Sequence, residues 1–204
     1  TNFQTAIDAL NSETDGPLTF SATSNNDANT VSANSEAQAG TYSFYVSALA
    51  QAQQTTFSMS DDQYSASGTF TLSMDDGTTM DIDLAAADED GDSFIDANEL
   101  VDAINDSDDN PGVSAALVKT DGTTTIMLTS DTTGAQSGFS VSVSGNDDLA
   151  AAESSSEKML TNPQDAEIHL GNKDGPTITS SSNTFDDVIP GVTMTFSEVS
   201  HPDD

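Results

Sequence analysis

Residues 69–84 read TFTLSMDDGTTMDIDL. Phe70, Leu72 and Met74 alternate with Thr71 and Ser73. Met80, Ile82 and Leu84 alternate with Asp81 and Asp83. Asp75, Asp76 and Gly77 lie between the two runs. A period of two puts one set of side chains on a buried face and the other in water, and Asp-Asp-Gly is turn chemistry. The stretch therefore predicts a β-hairpin with a moderately long turn.

The same pattern recurs on both sides of it. Downstream, an acidic loop and a short helix precede a strand marked by Val113, Ala115 and Leu117. A turn at Thr120, Asp121 and Gly122 leads to a partner strand at Ile126 and Leu128, and Phe139, Val141 and Val143 mark another. A last block holds Ala166, Ile168 and Leu170, a turn from Gly171 to Gly175, Ile178, then Phe185, Val188 and Ile189. Pro190 and Gly191 form a turn, and Val192, Met194 and Phe196 close the block. Upstream, residues 18–47 read as strands, opened by Leu18 and Phe20 and continued by Val31 and Ala33. Tyr42, Phe44 and Val46 then alternate with Ser43 and Ser47, and residues 49–54 form an irregular connection. Residues 147–165, rich in Ala, Ser and Glu, read as a linker. At the start, Phe3, Ile7 and Leu10 fall at helical spacing over residues 1–12 until Asp15, Gly16 and Pro17 end the run. Twelve residues make a marginal helix alone. This reads as the stub of a longer helix, and the chain as a piece of a longer protein. The fold class expected is mainly β, a β-rich α+β arrangement of antiparallel strands with one or two short helices.

Charge excludes whole classes of partner. The 204 residues carry 35 Asp and Glu against 3 basic residues, Lys119, Lys158 and Lys173, for a net charge of -32. Nucleic acids and anionic membranes recruit proteins through Lys and Arg, so both are excluded as partners. No apolar run approaches the roughly 18 residues of a membrane helix. With no cysteine, disulfides, thiolate metal sites and thiol nucleophiles are excluded. The hydrophobic share of 34% is low, but the remainder is Ser, Thr, Asn, Asp and Gln. That mixture suits a Thr-rich β protein with thin cores better than a disordered tail. The acidity admits two explanations, a surface adapted to high salt or sites for hard divalent cations.

One local motif carries chemistry. From Asp88 to Glu99 the spacing follows the EF-hand loop: Asp88, Asp90 and Asp92 at positions 1, 3 and 5, and Phe94 at position 7 offering its carbonyl. Ile95 is the apolar anchor at position 8, Asp96 at position 9 acts through water, and Glu99 is bidentate at position 12. A hard cation such as Ca²⁺ takes six to eight oxygens, and alternate residues of a tight loop point theirs inward. Two features depart from the template. Ser93 holds position 6, where glycine makes the sharp turn, and the segment before the loop reads as a strand, giving half an EF-hand. A competing reading needs no metal: Asp96 as helix N-cap with Glu99 three residues on forms a capping box. The other acidic pairs, such as Asp61-Asp62 and Asp186-Asp187, lack ligand spacing and read as solvated turns.

No catalytic constellation is visible. His169 alternates with Ile168 and Leu170 and is expected to face solvent, and His201 lies in the tail. Neither neighbours a nucleophile motif. Without Trp there is no preferred platform for a sugar ring. The chain is expected not to be an enzyme.

Several segments, in order, resemble one family. Residues 39–53, AGTYSFYVSALAQAQ, match a GxYxxxVxxLAQAQ pattern. Residues 78–84 resemble a TxxIDI strand. LVDAIN at 100–105 followed by GVSA at 112–115 resembles LxDAIN…GVxA, and LTSDTTG at 128–134 resembles LTSxxTG. Gln164-Asp165-Ala166 and SSNTFDDVIPGVT at 181–193 resemble AQDA…SSNTxxDVIPGVT. The pattern is that of the flagellar filament cap family (FliD, hook-associated protein 2). The resemblance implies a leg of long helices from both chain ends carrying two antiparallel β head domains, one inserted into the other. It would place the leg stub at 1–14, the second domain at 15–57 and 164–199, the third at 65–146, and a linker at 147–163. It also implies a structural role: self-association into a ring-like oligomer at the distal filament tip, where flagellin subunits fold and insert beneath. An exposed head that meets host or surface ligands, an extracellular location, and export without a cleaved signal peptide follow from the same resemblance. The leg segments that contact the filament are absent, so head-to-head contacts remain, weakened at low salt by like charge. The family does not imply the cation loop, which rests on spacing alone. Two other readings stand beside it: a calcium-dependent extracellular adhesin module of a marine or halophilic bacterium, and a secreted carbohydrate-active accessory domain. Tandem repeats would mark the adhesin, and no internal repeat occurs.

Overall fold

The computed structural model describes residues 21–25, 27, 29–59, 64–120 and 123–200. The expected helix over 1–12, the strand opening at Leu18 and Phe20, the turn residues Asp121 and Gly122, and the tail beyond Ser200 lie outside the described residues. The chain forms two compact units. One holds the described residues up to Thr41 with Thr184–Ser197; the other holds Tyr42–Asn183 and resumes at Glu198.

The smaller unit is one antiparallel sheet of β1 (Thr30–Ala33), β15 (Val192–Thr195) and β14 (Thr184–Ile189), in that order. Its apolar face is short. Met194 pairs with Val31 on one side and Phe185 on the other, and Phe185 packs edge-on against Phe196 with ring centroids 5.7 Å apart. The Pro190-Gly191 turn forms as expected, with Gly191 at φ 74°. A side chain at Gly191 would meet the Ala37 amide and Asn34 at 2.5 Å, so only glycine fits.

The larger unit is built on three antiparallel sheets. The hairpin read from residues 69–84 forms β5 (Thr69–Met74) and β6 (Thr79–Asp83), with Phe70 opposite Ile82 and Leu72 opposite Met80. β10 (Phe139–Ser144) adds on the other edge of β5. The second sheet runs β11 (Lys158–Thr161), β3 (Gln54–Met59), β9 (Thr123–Ser130), β8 (Val113–Thr120). The third runs β13 (Thr177–Ser180), β12 (Ala166–Leu170), β2 (Phe44–Ala48). A short ribbon pairs β4 (Tyr64–Ser65) with β7 (Phe94–Ile95). Three helices complete the unit: α1 (Leu84–Ala87), α2 (Ala97–Asp106) and α3 (Asp147–Ser156). The first two sheets and α2 share one core, in which Phe57 and Phe70 pack with ring centroids 6.1 Å apart beside Leu72, Met80, Leu100, Ile104, Ile126 and Leu128.

Two stretches differ from the sequence reading. The irregular connection expected at 49–54 holds as far as Gln53, but the unassigned residues after it form β3, because Thr55 fills a buried slot between Gln53 and Phe57 and continues the alternation. Residues 147–163 are not a bare linker but hold α3 and β11, which brings the described α-helices to three rather than one or two. Asn146 caps α3 by accepting from the Leu149 amide at 3.1 Å. Asp147 and Asp148 sit in the first turn, where carboxylates complement the helix dipole. Leu149 alone anchors the helix in the core. Residues 42–57 and 164–183, which the resemblance places in the second domain, lie within the larger unit.

Asn105 and Asn110 explain the LVDAIN…GVSA segment. The Asn105 amide donates to the Ala115 carbonyl at 2.9 Å and accepts from the Ala115 N–H at 2.8 Å, taking the place of a neighbouring strand on β8. Asn110 donates to Ile104 and Val113 carbonyls and accepts from the Gly112 and Val113 amides, closing the end of α2 onto the strand.

Glu153 sits on α3 with only 6% of its surface exposed. Burial raises its pKa, and the nearby Glu157 charge raises it further. A carboxyl held above its unfolded value of about 4.3 fits best when protonated. Its penalty is absent below that value and grows as pH rises through the folded pKa. Glu153→Gln is therefore expected to raise the melting temperature at pH 7 and leave it nearly unchanged at pH 4. Thermal denaturation monitored at both pH values checks this.

Candidate functional site

The acidic loop joins α1 to α2. The sequence reading took the incoming segment as a strand; instead β6 ends at Asp83, which caps a single helical turn through the Ala85 amide at 3.0 Å. Ala85, Ala86 and Ala87 favour that turn, so the loop is flanked by helical backbone on both sides. Ser93, at position 6, has φ 71°, the one positive φ of a non-glycine residue among the described residues. The sharp turn is thus present although glycine is not.

Within the loop the carboxylates turn the backbone. Asp88 accepts from the Gly91 amide at 2.8 Å and the Ser93 amide at 2.9 Å. Asp90 accepts from Asp92 N–H at 3.0 Å, and Asp92 accepts from Phe94 N–H at 2.8 Å. Glu99 accepts from Glu89 N–H at 3.0 Å with one oxygen and from Asp96 N–H at 2.9 Å with the other. One carboxylate oxygen from each of Asp88, Asp90 and Glu99 lies within 4.8 Å of the others. Asp92 and Asp96 are not part of that group. Phe94 and Ile95 form β7 against Tyr64 and Ser65, with Ile95 buried and Phe94 exposed.

Asp96 does the work of the competing reading. Its side chain accepts from the Asn98 amide at 2.7 Å and the Glu99 amide at 2.9 Å, and Glu99 returns the bond to the Asp96 amide. This is a complete capping box on α2. Partial burial works to raise the Asp96 carboxyl. The Glu99 amide, the Asn98 side chain and amide, and the Lys119 charge outweigh it and hold the carboxyl below its ordinary range. The capping box and the acidic cluster coexist on one loop.

Elsewhere, His169 does not face solvent as expected. Its side chain is 13% exposed, with Nε2 3.1 Å from Glu167 Oε1 and Nδ1 3.2 Å from the Gly175 carbonyl. The β12–β13 turn folds back over it, which the alternation in β12 could not reveal. His201 lies outside the described residues. No described helix is long and apolar enough to cross a membrane.

Comparison with known proteins identifies the class. The family model for the flagellar hook-associated protein 2 N-terminus matches residues 1–53. The lateral flagellar hook-associated protein 2 of Vibrio parahaemolyticus is 36% identical over 81% of this chain and 39% of its own length. Flagellar hook-associated protein 2 of Escherichia coli O157:H7 is 34% identical over 92% of this chain and 40% of its own length. The chain thus spans about two fifths of these relatives. The crystal structure of the flagellar cap protein FliD D2-D3 domains from Escherichia coli superposes with TM-score 0.70 at 27% identity, covering 88% of this chain and 93% of that one. The equivalent domains from Serratia marcescens give 0.70 at 28%, covering 87% and 97%. The fold is that of the β head of flagellar cap proteins. The chain belongs to the flagellar hook-associated protein 2 (FliD) family, a structural family and not an enzyme family. The comparisons give the adhesin alternative no support.

Two substitutions separate the loop's local roles. Asp96→Ala removes the N-cap and is expected to cost about 1 kcal/mol of stability. Ser93→Gly relieves left-handed backbone and is expected to stabilise by up to about 1 kcal/mol, net of glycine's greater unfolded freedom. Urea denaturation of each variant, compared with the parent chain, measures both.

Proposed function

We propose that this chain is the head of a flagellar filament cap. In the full protein it self-associates into the oligomer at the distal, extracellular tip, beneath which flagellin subunits fold and insert, after export without a cleaved signal peptide. The observation that carries this reading is the match of both β units to the FliD D2-D3 head across 93% of that chain. The exposed head is placed to meet host or surface ligands. At low salt, like charge keeps isolated heads monomeric or weakly associated. A chimaera tests the assignment: this chain replaces the D2-D3 head of the Escherichia coli cap protein in cells lacking their own cap. Restored filaments and swimming are the expected result. Unassembled flagellin released into the medium by cells that export a folded chimaera would overturn it.

A second reading concerns the loop alone: Asp88, Asp90 and Glu99 form a Ca²⁺ site, completed by Asp92, the Phe94 carbonyl and, through water, Asp96. The grouping of three carboxylate oxygens within 4.8 Å beside a left-handed position 6 favours it. Calorimetric titration with CaCl₂ is expected to show one site with a Kd in the range of roughly 10⁻⁴ to 10⁻³ M or tighter. Asp90→Asn together with Glu99→Gln should abolish it. No heat at millimolar Ca²⁺ and an unchanged melting temperature would leave the loop as a helix cap.

A further inference from the structure

The four-stranded sheet is unlike the rest of the molecule in charge. Of the 35 acidic side chains, none lies in β3, β8, β9 or β11. The other large sheets all carry carboxylates: Asp81 and Asp83 in β6, Glu167 in β12, Asp186 and Asp187 in β14. Two of the three lysines are in the acid-free strands: Lys158 on the outer face, and Lys119, in register with Thr124 and the buried Met59, on the other side, where its charge acts on Asp96. One face of this sheet belongs to the core, through Thr55, Phe57, Met59, Ile126, Leu128, Val113 and Ala115. The other face is built by three cross-strand rows: Lys158–Thr56–Met127–Ala116, Ser58–Thr125–Val118 and Gln54–Thr129–Ser114. Lys158, Ala116, Val118 and Ser114 are exposed, and the residues between them are half-buried. Beside these rows lies Leu160 of β11, at 57% the most exposed large apolar side chain described, whereas Met159, in register with Thr55, lies on the other side of the sheet. Among the described residues, carboxylates appear at the rim, where Asp131 accepts from the Ser114 hydroxyl at 2.6 Å and Glu157 precedes β11.

Resting on the cap reading, we infer that this outer face is the self-association surface and that its occupant is an acidic face of a second copy of this chain. The argument is charge complementarity. A surface of net charge -32 repels its copy wherever carboxylates meet, and this sheet is where an approaching copy meets none. Edge lysines also blunt strand edges against aggregation. That role accounts for Lys158, but not for the absence of carboxylates from the inner strands β3 and β9. Two copies placed sheet to sheet would bring Lys158 against its own kind. An acidic face against the sheet is instead a head-to-tail contact, and such contacts close into rings when the rotation allows.

Three variants each change the net charge by one negative unit: Ala116→Glu and Lys158→Gln on the sheet, and Ser154→Glu on the exposed side of α3. Sedimentation velocity at about 0.15 M NaCl, where the screening length is ~8 Å, reads the self-association of each. Ala116→Glu and Lys158→Gln should each weaken it about tenfold, while Ser154→Glu should change it less than about twofold. Melting temperatures check that each variant is folded; Lys158→Gln, at an exposed edge, carries the test alone if Ala116→Glu unfolds. Equal weakening by all three overturns the inference, as does strengthening by Lys158→Gln. A parent chain that stays monomeric at millimolar concentration in about 1 M NaCl, where screening falls to ~3 Å, overturns it too. None of these outcomes bears on the chimaera, so failure of the surface and failure of the cap reading are told apart.

Discussion

The larger unit depends on one buried amide. Gln53 is 2% exposed. Its Nε2 donates to the Phe139 carbonyl at 2.7 Å and to Thr55 Oγ1 at 2.9 Å, and its Oε1 accepts from the Phe139 amide at 3.0 Å. Its own carbonyl accepts from Ser130 N–H at 3.0 Å. One residue thereby fastens the start of β10 in the three-stranded sheet to the ends of β3 and β9 in the four-stranded sheet. Everything the two sheets enclose, from Phe57 against Phe70 to Leu128, sits beside this fastening. A shorter side chain would leave the backbone of Phe139 buried and unpaired, at a cost of roughly 1–3 kcal/mol per group. Apolar burial supplies the gross stability here, but with a hydrophobic share of 34% the polar stitch decides how the sheets meet.

The second constraint is repulsion. A fold with 35 carboxylates must keep them apart or give each a donor. Donors are mostly backbone amides. Asp76 takes the Thr78 amide at the hairpin turn, Asp83 takes Ala85, and Asp88, Asp90, Asp92 and Asp96 each take amides along the loop. A turn is where unpaired amides are found, so acid and turn concentrate together. Strand carboxylates are fewer and take side-chain partners instead: Asp81 accepts from the Thr71 hydroxyl at 2.6 Å and Glu167 from the Ser47 hydroxyl at 2.8 Å.

How much of this was legible in the sequence follows from the same chemistry. The hairpin at 69–83 was legible because large apolar residues occupy every inward position, although its alternation ran on into Leu84, which starts α1. β3 was not, because its first inward residue is Thr55, and a threonine in a Thr-rich chain carries no directional signal. α3 was read as linker because Leu149 is its only large buried residue. Its start was nonetheless marked, by Asn146 at the cap and Asp147 and Asp148 in the first turn. His169 was misread because a strand's alternation says which face a side chain takes, not whether a later turn covers that face. The loop was legible in part. Spacing pointed to Asp88, Asp90 and Glu99, whose oxygens the structure gathers, and all five carboxylates of the template also accept backbone amides, which spacing does not reveal.

The loop also answers why three like charges can share a few ångströms with no cation in the argument. Asp88 is neutralised in part by the amides of Gly91 and Ser93, and Glu99 by those of Glu89 and Asp96. Aligned N–H groups at a helix start carry partial positive charge, so Asp96 and Glu99 at the head of α2 face a favourable field. The backbone therefore performs the neutralisation that a metal would perform, and it does so through an unusual turn at Ser93. Oxygens gathered this way need no further ordering of the loop, a cost that a floppy acidic segment would bear. The capping box and the EF-hand spacing are for this reason not rivals. They share Glu99: one of its oxygens closes the capping box on the Asp96 amide, and the other takes the Glu89 amide at the start of the loop, beside Asp88 and Asp90.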